Sequence, residues 1–244
     1  NSAASRLSGI QISDIRDLLK GEVTYLWDFP EFMPFPSTAG ICHVGPVSFQ
    51  PEQKPSAPLG FPTNALTVLI SFGTCSGSMN VLKRLAQVCL NAGINIIIAA
   101  GGQKKYLNLF KGHPQVRIEL FPDLTALLAQ ADLLITHGGQ TSVFEAIKKE
   151  IPILVMPFQP EQAHNGICLE RMGCGALLIP PTPFRSDPQV YIQALDRLTD
   201  TAITKEITRL CSSPGIREQL KLTRRSLKQY QGAERLVPIL ERPL

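Results

Sequence analysis

From residue 66 onward the chain repeats one pattern: a short apolar run, a glycine or polar break, then a segment with helical spacing. The apolar runs are LTVLIS (66–71), INIIIAA (94–100), VRIELF (116–121), DLLIT (132–136), PILVMPF (152–158) and GALLIP (175–180). They are continuously apolar rather than alternating, as strands are when both faces of a sheet are covered. Between the first two, SMNVLKRLAQVCLNAG places Leu82, Leu85 and Cys89 on one helical face, with Gly93 set for a C-cap. Asp123 is placed to cap a short helix over LTALLAQ. Further helices are expected over about 142–149 and 162–172, and one beginning at Ser186 and Pro188, with Ser as N-cap and Pro in the first turn. Six strands separated by helices predict an α/β fold, a doubly wound parallel sheet of Rossmann-like kind.

The flanks read differently. Residues 1–45 carry a short helical pattern at SDIRDLLK and a β-rich stretch at VTYLWDFPEF, and end in CHVGP. Residues 46–62 hold five prolines and no helical period, which reads as a linker. The expected organisation is therefore an N-terminal or interdomain segment (1–45), a linker (46–62) and a main domain (63–240) that includes C-terminal helices.

Composition narrows the class. With 244 residues, 44% hydrophobic and 18% charged, the chain can build a core. No apolar run reaches the length of a membrane span, and the N-terminus has no apolar h-region, so it reads as a fragment or a processed chain rather than a signal peptide. A net charge of +4 does not argue for nucleic acid. The charge is uneven: residues 201–244 hold nine Lys and Arg against four Glu. IREQLKLTRRSLKQY (216–230) has Ile216, Leu220 and Leu227 on one side and Lys221, Arg224, Arg225 and Lys228 on the rest. It reads as a solvated helix face, with contact to an anionic surface as the sharper alternative. The six cysteines lack C-x-x-C spacing, which points to a reducing, cytoplasmic setting and no zinc site.

The candidate chemistry lies where strands hand over to helices. THGGQTSVFEA (136–146) puts His137, Gly138 and Gly139 at a strand end, with Thr141 and Ser142 opening the next helix. Paired glycines let a backbone approach a ligand, and a helix N-terminus offers unpaired amides and a favourable dipole to a phosphate. Ser142 and Glu145 also fit a capping box with no ligand at all. Against that reading, a carboxylate in this helix can accept the vicinal hydroxyls of a ribose. PFQPEQAHNG (157–166) adds Glu161 and Gln162, suited to sugar hydroxyls, and Asn165 on the following helix; His164 is expected to cap or face solvent. SFGTCSGS (71–78) offers Gly73, Thr74 and Gly77 to a phosphate, but it is neither a Walker A loop nor a G-x-G-x-x-G fingerprint.

THGGQTSVFEAIKKEIPILVMPFQPEQAHNG resembles the donor-binding signature of the UDP-glycosyltransferase superfamily, whose members have the GT-B fold. The signature runs from a His to a Glu eight residues on, then to an acidic residue and Gln sixteen residues after that Glu. Here these are His137, Gly139, Ser142, Glu145, Pro157, Glu161 and Gln162. The resemblance covers about residues 20–240. It implies the C-terminal half of an inverting, metal-free glycosyltransferase acting on a nucleotide sugar, UDP-sugar above all, with no cofactor. His137, Gly139 and Ser142 would hold the diphosphate, Gly73 and Thr74 would add phosphate contacts, Glu145 would take the ribose, and Glu161 and Gln162 the sugar. Phe121, in the LFPD segment where the family recognises the base, would pack on uracil in place of the family's Trp. Gln140 replaces a frequent aromatic, and Glu150 stands where the family has Gly. The family's catalytic His belongs to an N-terminal domain, supplied in cis or by a partner chain; His43 aligns with no such base. The competing expectations are a stand-alone donor-binding subunit, a nucleotide-sugar epimerase and an unrelated Rossmann-like binding domain. The acceptor is unspecified.

Overall fold

The computed structural model describes residues 23–35, 40–47, 58–62, 64–73, 79–121, 123–179 and 187–241. The expected helix at SDIRDLLK, most of the proline-rich linker, Thr74, Gly77 and Ser186 lie outside the described residues. The chain forms two units, 1–47 with 229–244 and 48–228.

The larger unit is a six-stranded sheet. Its strands are β3 (Thr67–Ser71), β4 (Asn95–Ala99), β5 (Val116–Glu119), β6 (Leu133–Thr136), β7 (Ile153–Val155) and β8 (Gly175–Leu177). Every pairing is parallel, in the spatial order β5-β4-β3-β6-β7-β8. All residues of β3, β4, β6 and β7 are buried, as continuous apolar runs require when helices cover both faces. All six predicted strands are present, each trimmed by a residue or more at its ends.

The helices follow the expected spacing. α1 (Met79–Asn91) buries Leu82, Leu85 and Cys89 together with Val81, Ala86 and Val88. It ends at Gly93, with φ +72, where the amide of Ile94 returns to the Cys89 carbonyl at 2.9 Å. Arg84 reaches from α1 to the carbonyls of Leu195 and Leu198, and so ties the helix to the C-terminal part of the unit. α2 (Leu124–Leu128) is capped as expected by Asp123, whose carboxylate accepts from the amides of Thr125 and Ala126. α3 (Gln140–Lys148) and α4 (Pro160–Arg171) follow β6 and β7. α5 (Pro188–Asp196) has Pro188 in its first turn as predicted, but its cap is Asp187, which accepts from Gln189, and not Ser186. α6 (Asp200–Ser212) and α7 (Pro214–Leu227) complete the unit. Ile216, Leu220 and Leu227 of α7 are buried as the sequence pattern requires, along with Thr223. Of its basic residues, Arg224 reaches across to α3's end: Nη1 lies 2.6 Å from Glu150 Oε1. Glu150 itself sits at φ +59, the left-handed helix-end conformation that favours Gly.

The smaller unit pairs β1 (Thr24–Leu26) with β2 (Ile41–His43) in parallel and adds α8 (Gly232–Leu240). The chain's last helix therefore belongs here and not, as the sequence division at 63–240 has it, to the main domain. The reason is close backbone contact. A side chain at Gly45 would collide with the Tyr230 carbonyl, and one at Gly232 with the Gly45 carbonyl. Arg235 stacks over the Tyr230 ring and donates to the His43 carbonyl. His43, which the sequence leaves without a role, is paired through Nδ1 with Asp28 Oδ1 at 2.6 Å, while its Nε2 is buried without a hydrogen bond.

Candidate functional site

The strand order reverses between β3 and β6. From β3 the chain moves outward to β4 and β5; from β6 it moves the other way, to β7 and β8. Adjacent loops that leave in opposite directions open a crevice at the carboxyl ends of the two strands, where open α/β sheets bind ligands. The register pairs Ser71 with Thr136, so the loops that follow, Phe72-Gly73 and His137-Gly138-Gly139, begin side by side.

His137 fills this point. Its ring lies between two glycine α-carbons: a Cβ on Gly73 would sit 3.2 Å from Cε1, and one on Gly139 would sit 2.6 Å from Nε2. Gly73 also has φ +66. Two glycines far apart in sequence thus make the slot for one imidazole. Burial pushes the His137 pKa below its ordinary value, against smaller upward pulls from the Ser71 backbone and the Glu161 carboxylate. Nδ1 is buried without a hydrogen bond. The Ser71 backbone lies near enough to act on the ring without meeting the geometry of a full hydrogen bond to Nδ1, so the imidazole keeps polar capacity for a further partner.

The next loop is held from behind. Gly138 has φ +94, and a Cβ there would lie 2.7 Å from the Gln162 carbonyl and 2.8 Å from Val155 Cγ1. Asn165, 1% exposed, donates from Nδ2 to the Gly138 carbonyl at 2.8 Å and to Glu161 Oε1 at 2.8 Å. Gln162, 4% exposed, accepts the Phe158 amide on its side-chain oxygen. The EQ-x-x-N cluster, expected to reach for a ligand, is brought to the first cluster as anticipated. Two of its members, however, brace the loop, and Glu161 is the exposed one. A single line of sequence does not distinguish an amide that binds a ligand from one that holds a loop.

α3 departs from the capping-box expectation. The helix starts at Gln140 with Gly139 as N-cap, and no side chain caps it. The first backbone bond runs from the Val143 amide to the Gly139 carbonyl, so the amides of Gln140, Thr141 and Ser142 precede the helical ladder. Ser142 therefore stands at N3, inside the helix, and Glu145 lies in the second turn, out of reach of any cap. No acidic residue lies in its first turn, so the helix dipole at this end is not offset from within the helix. Thr141 is exposed and Ser142 half-buried beside it.

Glu145 is 6% exposed and already engaged. Its Oε1 lies 2.7 Å from Lys148 Nζ, and its Oε2 accepts from Thr125 Oγ1 at 3.4 Å. Neither partner emerges from the motif; the i, i+3 spacing of Glu145 and Lys148 is the signal that marks the first of them. Phe121 is 81% exposed, and its ring edge lies over the turn that ends β4: a Cβ on Gly102 (φ +80) would be 3.0 Å from Cε1. Among the described residues no group of His, Cys, Asp and Glu could hold a metal ion, and no helix is long and apolar enough to cross a membrane.

The arrangement brings together an uncapped helix N-terminus, a buried carboxylate and an exposed aromatic ring in segments that follow the carboxyl ends of strands. Residues 74–179 match the glycosyltransferase family 28 C-terminal domain. The chain is 28% identical over 163 residues to a PGL/p-HBAD biosynthesis glycosyltransferase of Mycobacterium tuberculosis (strain H37Ra), covering 65% of this chain and 36% of that protein. It is 25% identical over 185 residues to YdhE of Bacillus subtilis (strain 168), described as an uncharacterized UDP-glucosyltransferase, covering 73% of this chain and 45% of that one. It spans less than half the length of these curated relatives. In fold it matches the glycotransferase of kitacinnamycin, with a TM-score of 0.79 and 20% identity over 98% of this chain and 59% of that chain. The matched segment, the relatives and the sheet order agree: residues 74–179 carry a glycosyltransferase family 28 C-terminal domain, and the chain has the fold of the C-terminal half of GT-B glycosyltransferases.

Proposed function

We propose that this domain binds a nucleoside diphosphate sugar, with UDP-sugar as the leading donor, for inverting transfer of a hexose to an acceptor. The observation that carries the reading is the glycine-lined His137 slot beside the uncapped N-terminus of α3 at the sheet's switch point. A diphosphate leaving group gains negative charge as its bond to the sugar breaks. The α3 amides, the helix dipole and the His137 imidazole are aimed where that charge develops. Gly139 and Ser142 line the same end, and Gly73 closes it from β3; Thr74 would add a contact from outside the described residues. Glu145 would accept ribose hydroxyls, Phe121 would stack on the base, and Glu161 would face the sugar with Gln162 behind it. In this reading chemistry needs no metal, because fixed dipoles replace it. The acceptor and the catalytic base would be supplied by an N-terminal domain. That the relatives hold the matched region within longer chains supports such a domain in cis. The name given to YdhE supports uridine.

Calorimetric titration of this polypeptide with UDP, dTDP, NAD and inorganic pyrophosphate tests the reading. UDP or dTDP is expected to bind and NAD is not, and the polypeptide alone is expected not to transfer sugar. Binding of NAD in preference to either nucleotide would return the domain to the unrelated Rossmann-like class. Sugar-nucleotide interconversion without an acceptor would favour the epimerase. The same titrations with Glu145→Gln place the ribose. Charge-assisted hydrogen bonds are about twice as strong as neutral ones, so UDP affinity should fall while pyrophosphate affinity holds. Equal loss of both ligands would remove Glu145 from the ribose.

A further inference from the structure

We infer that Lys148 and Thr125 form a clamp that presets Glu145 for the nucleoside half of the donor and links it to the base-side loop. The inference rests on the donor-site reading above, and concerns two residues outside the superfamily motif.

Glu145 lies on the second turn of α3 among buried neighbours, Val143, Phe144, Ala146 and Ile147. A carboxylate taken out of water in such surroundings carries a desolvation cost that must be offset by a partner. Lys148 supplies it from one turn further along: the contact to Oε1 is 2.7 Å, and the two side chains are 27% and 8% exposed. Thr125 Oγ1 approaches the other oxygen from a different helix at 3.4 Å, the long end of hydrogen-bonding distance. One oxygen is thus fixed tightly from its own helix and the other is met more loosely from α2, so both ends of the carboxylate have a partner.

Thr125 also carries the link. Its backbone amide is bound by Asp123, the cap of α2, which follows directly on the segment containing Phe121. Its hydroxyl is bound to Glu145. One residue therefore joins the loop bearing the exposed Phe121 ring to the carboxylate assigned to the ribose. A base moving Phe121 and a sugar pulling on Glu145 act on opposite ends of the same short chain of bonds: Asp123, Thr125, Glu145, Lys148. Rigid support of this kind lowers the ordering cost of binding. Each carboxylate oxygen has two acceptor sites, so Lys148 and Thr125 leave one on each oxygen for a ribose hydroxyl.

The test is a double-mutant cycle on UDP and pyrophosphate binding, using Lys148→Met, Lys148→Arg, Thr125→Val and each of the first and last combined with Glu145→Gln. Lys148→Met and Thr125→Val should each weaken UDP about three- to tenfold and leave pyrophosphate unchanged, and Lys148→Arg should restore most of the loss. Both effects should largely vanish in the Glu145→Gln background, because the clamp acts only through that carboxylate. Thermal melts of every variant show whether it is folded, and Thr125→Val, which keeps the side-chain volume, preserves the test if Lys148→Met is unfolded. Tighter UDP binding by Lys148→Met would overturn the inference, since Lys148 would then compete with the ribose. Equal loss of pyrophosphate, or an undiminished effect in the Glu145→Gln background, would overturn it as well. A wild-type protein that binds neither UDP nor dTDP fails at an earlier step, in the donor-site reading itself.

Discussion

Gly138→Ala is expected to destabilise the domain by roughly 2–5 kcal/mol and to impair the site at the same time. Two costs combine. A non-glycine residue at φ +94 is strained by about 1–2 kcal/mol. The added methyl would also meet the Gln162 carbonyl at 2.7 Å and Val155 Cγ1 at 2.8 Å, and overpacking of that kind costs roughly 1–3 kcal/mol. A Cβ that pushes on the Gln162 backbone pushes on α4, and so on the Asn165 amide that holds the Gly138 carbonyl. The loop that carries His137 would shift with it. Gly93→Ala separates the two costs, because Gly93 has φ +72 but a Cβ there would meet nothing within 4 Å. Urea unfolding of both variants with unchanged slope measures them. Gly93→Ala should lose only the strain, and UDP should bind it as it binds wild type. If Gly138→Ala is no less stable than Gly93→Ala, the close packing of the loop against α4 does not matter energetically.

His137→Ala is expected to weaken UDP binding tenfold or more without unfolding the protein. The hydrogen bond it offers to a charged phosphate is worth about 1.5–3 kcal/mol, and each 1.4 kcal/mol is a factor of ten. The ring lies against Gly73 and Gly139 and the residue is only half-buried, so truncation removes little core. The pH dependence carries a second signature. Burial lowers the pKa of His137 in the free domain, while a diphosphate beside the ring favours the imidazolium. Binding should therefore take up a proton and tighten as pH falls toward and below about 6.5. Stability of the ligand-free domain runs the opposite way. With the folded pKa depressed, the unfolded chain binds the proton first, so His137 costs stability as pH falls below about 6.5 and none above it. Titrations in buffers of different ionisation enthalpy, with His137→Ala as baseline for the nucleotide's own titration, measure the uptake. Proton uptake that is the same in wild type and His137→Ala would exclude the imidazole from the phosphate site.

Much of the fold was written locally. Continuous apolar runs such as INIIIAA can be satisfied only by burial on both faces, and Leu82, Leu85 and Cys89 recur at helical spacing, so strand and helix types were legible before any contact was known. The superfamily signature was legible for a related reason: His137, Glu145 and Glu161 are spaced by a helix, a strand and two turns of fixed length. The start of α3 was not. Apolar spacing at Val143, Phe144 and Ile147 fixes which face of that helix is buried but not where it begins. Ser142 and Glu145 satisfy a capping box in sequence. Yet the helix begins before Ser142, because Gly138 takes a left-handed backbone that Asn165 holds from the next helix. The His137 slot was likewise invisible, since Gly73 and Gly139 meet only when β3 and β6 pair. Half of the Glu145 clamp was readable, as Lys148 lies one turn away; Thr125 was not, because it arrives from a separate helix. The membership of α8 was decided in the same manner, by backbone contact between Gly45 and Gly232 at the two ends of the chain. Local sequence set what each segment would be, because propensity and periodicity act within a few residues. Tertiary packing set which polar groups met, because those bonds join residues whose separation along the chain carries no signal.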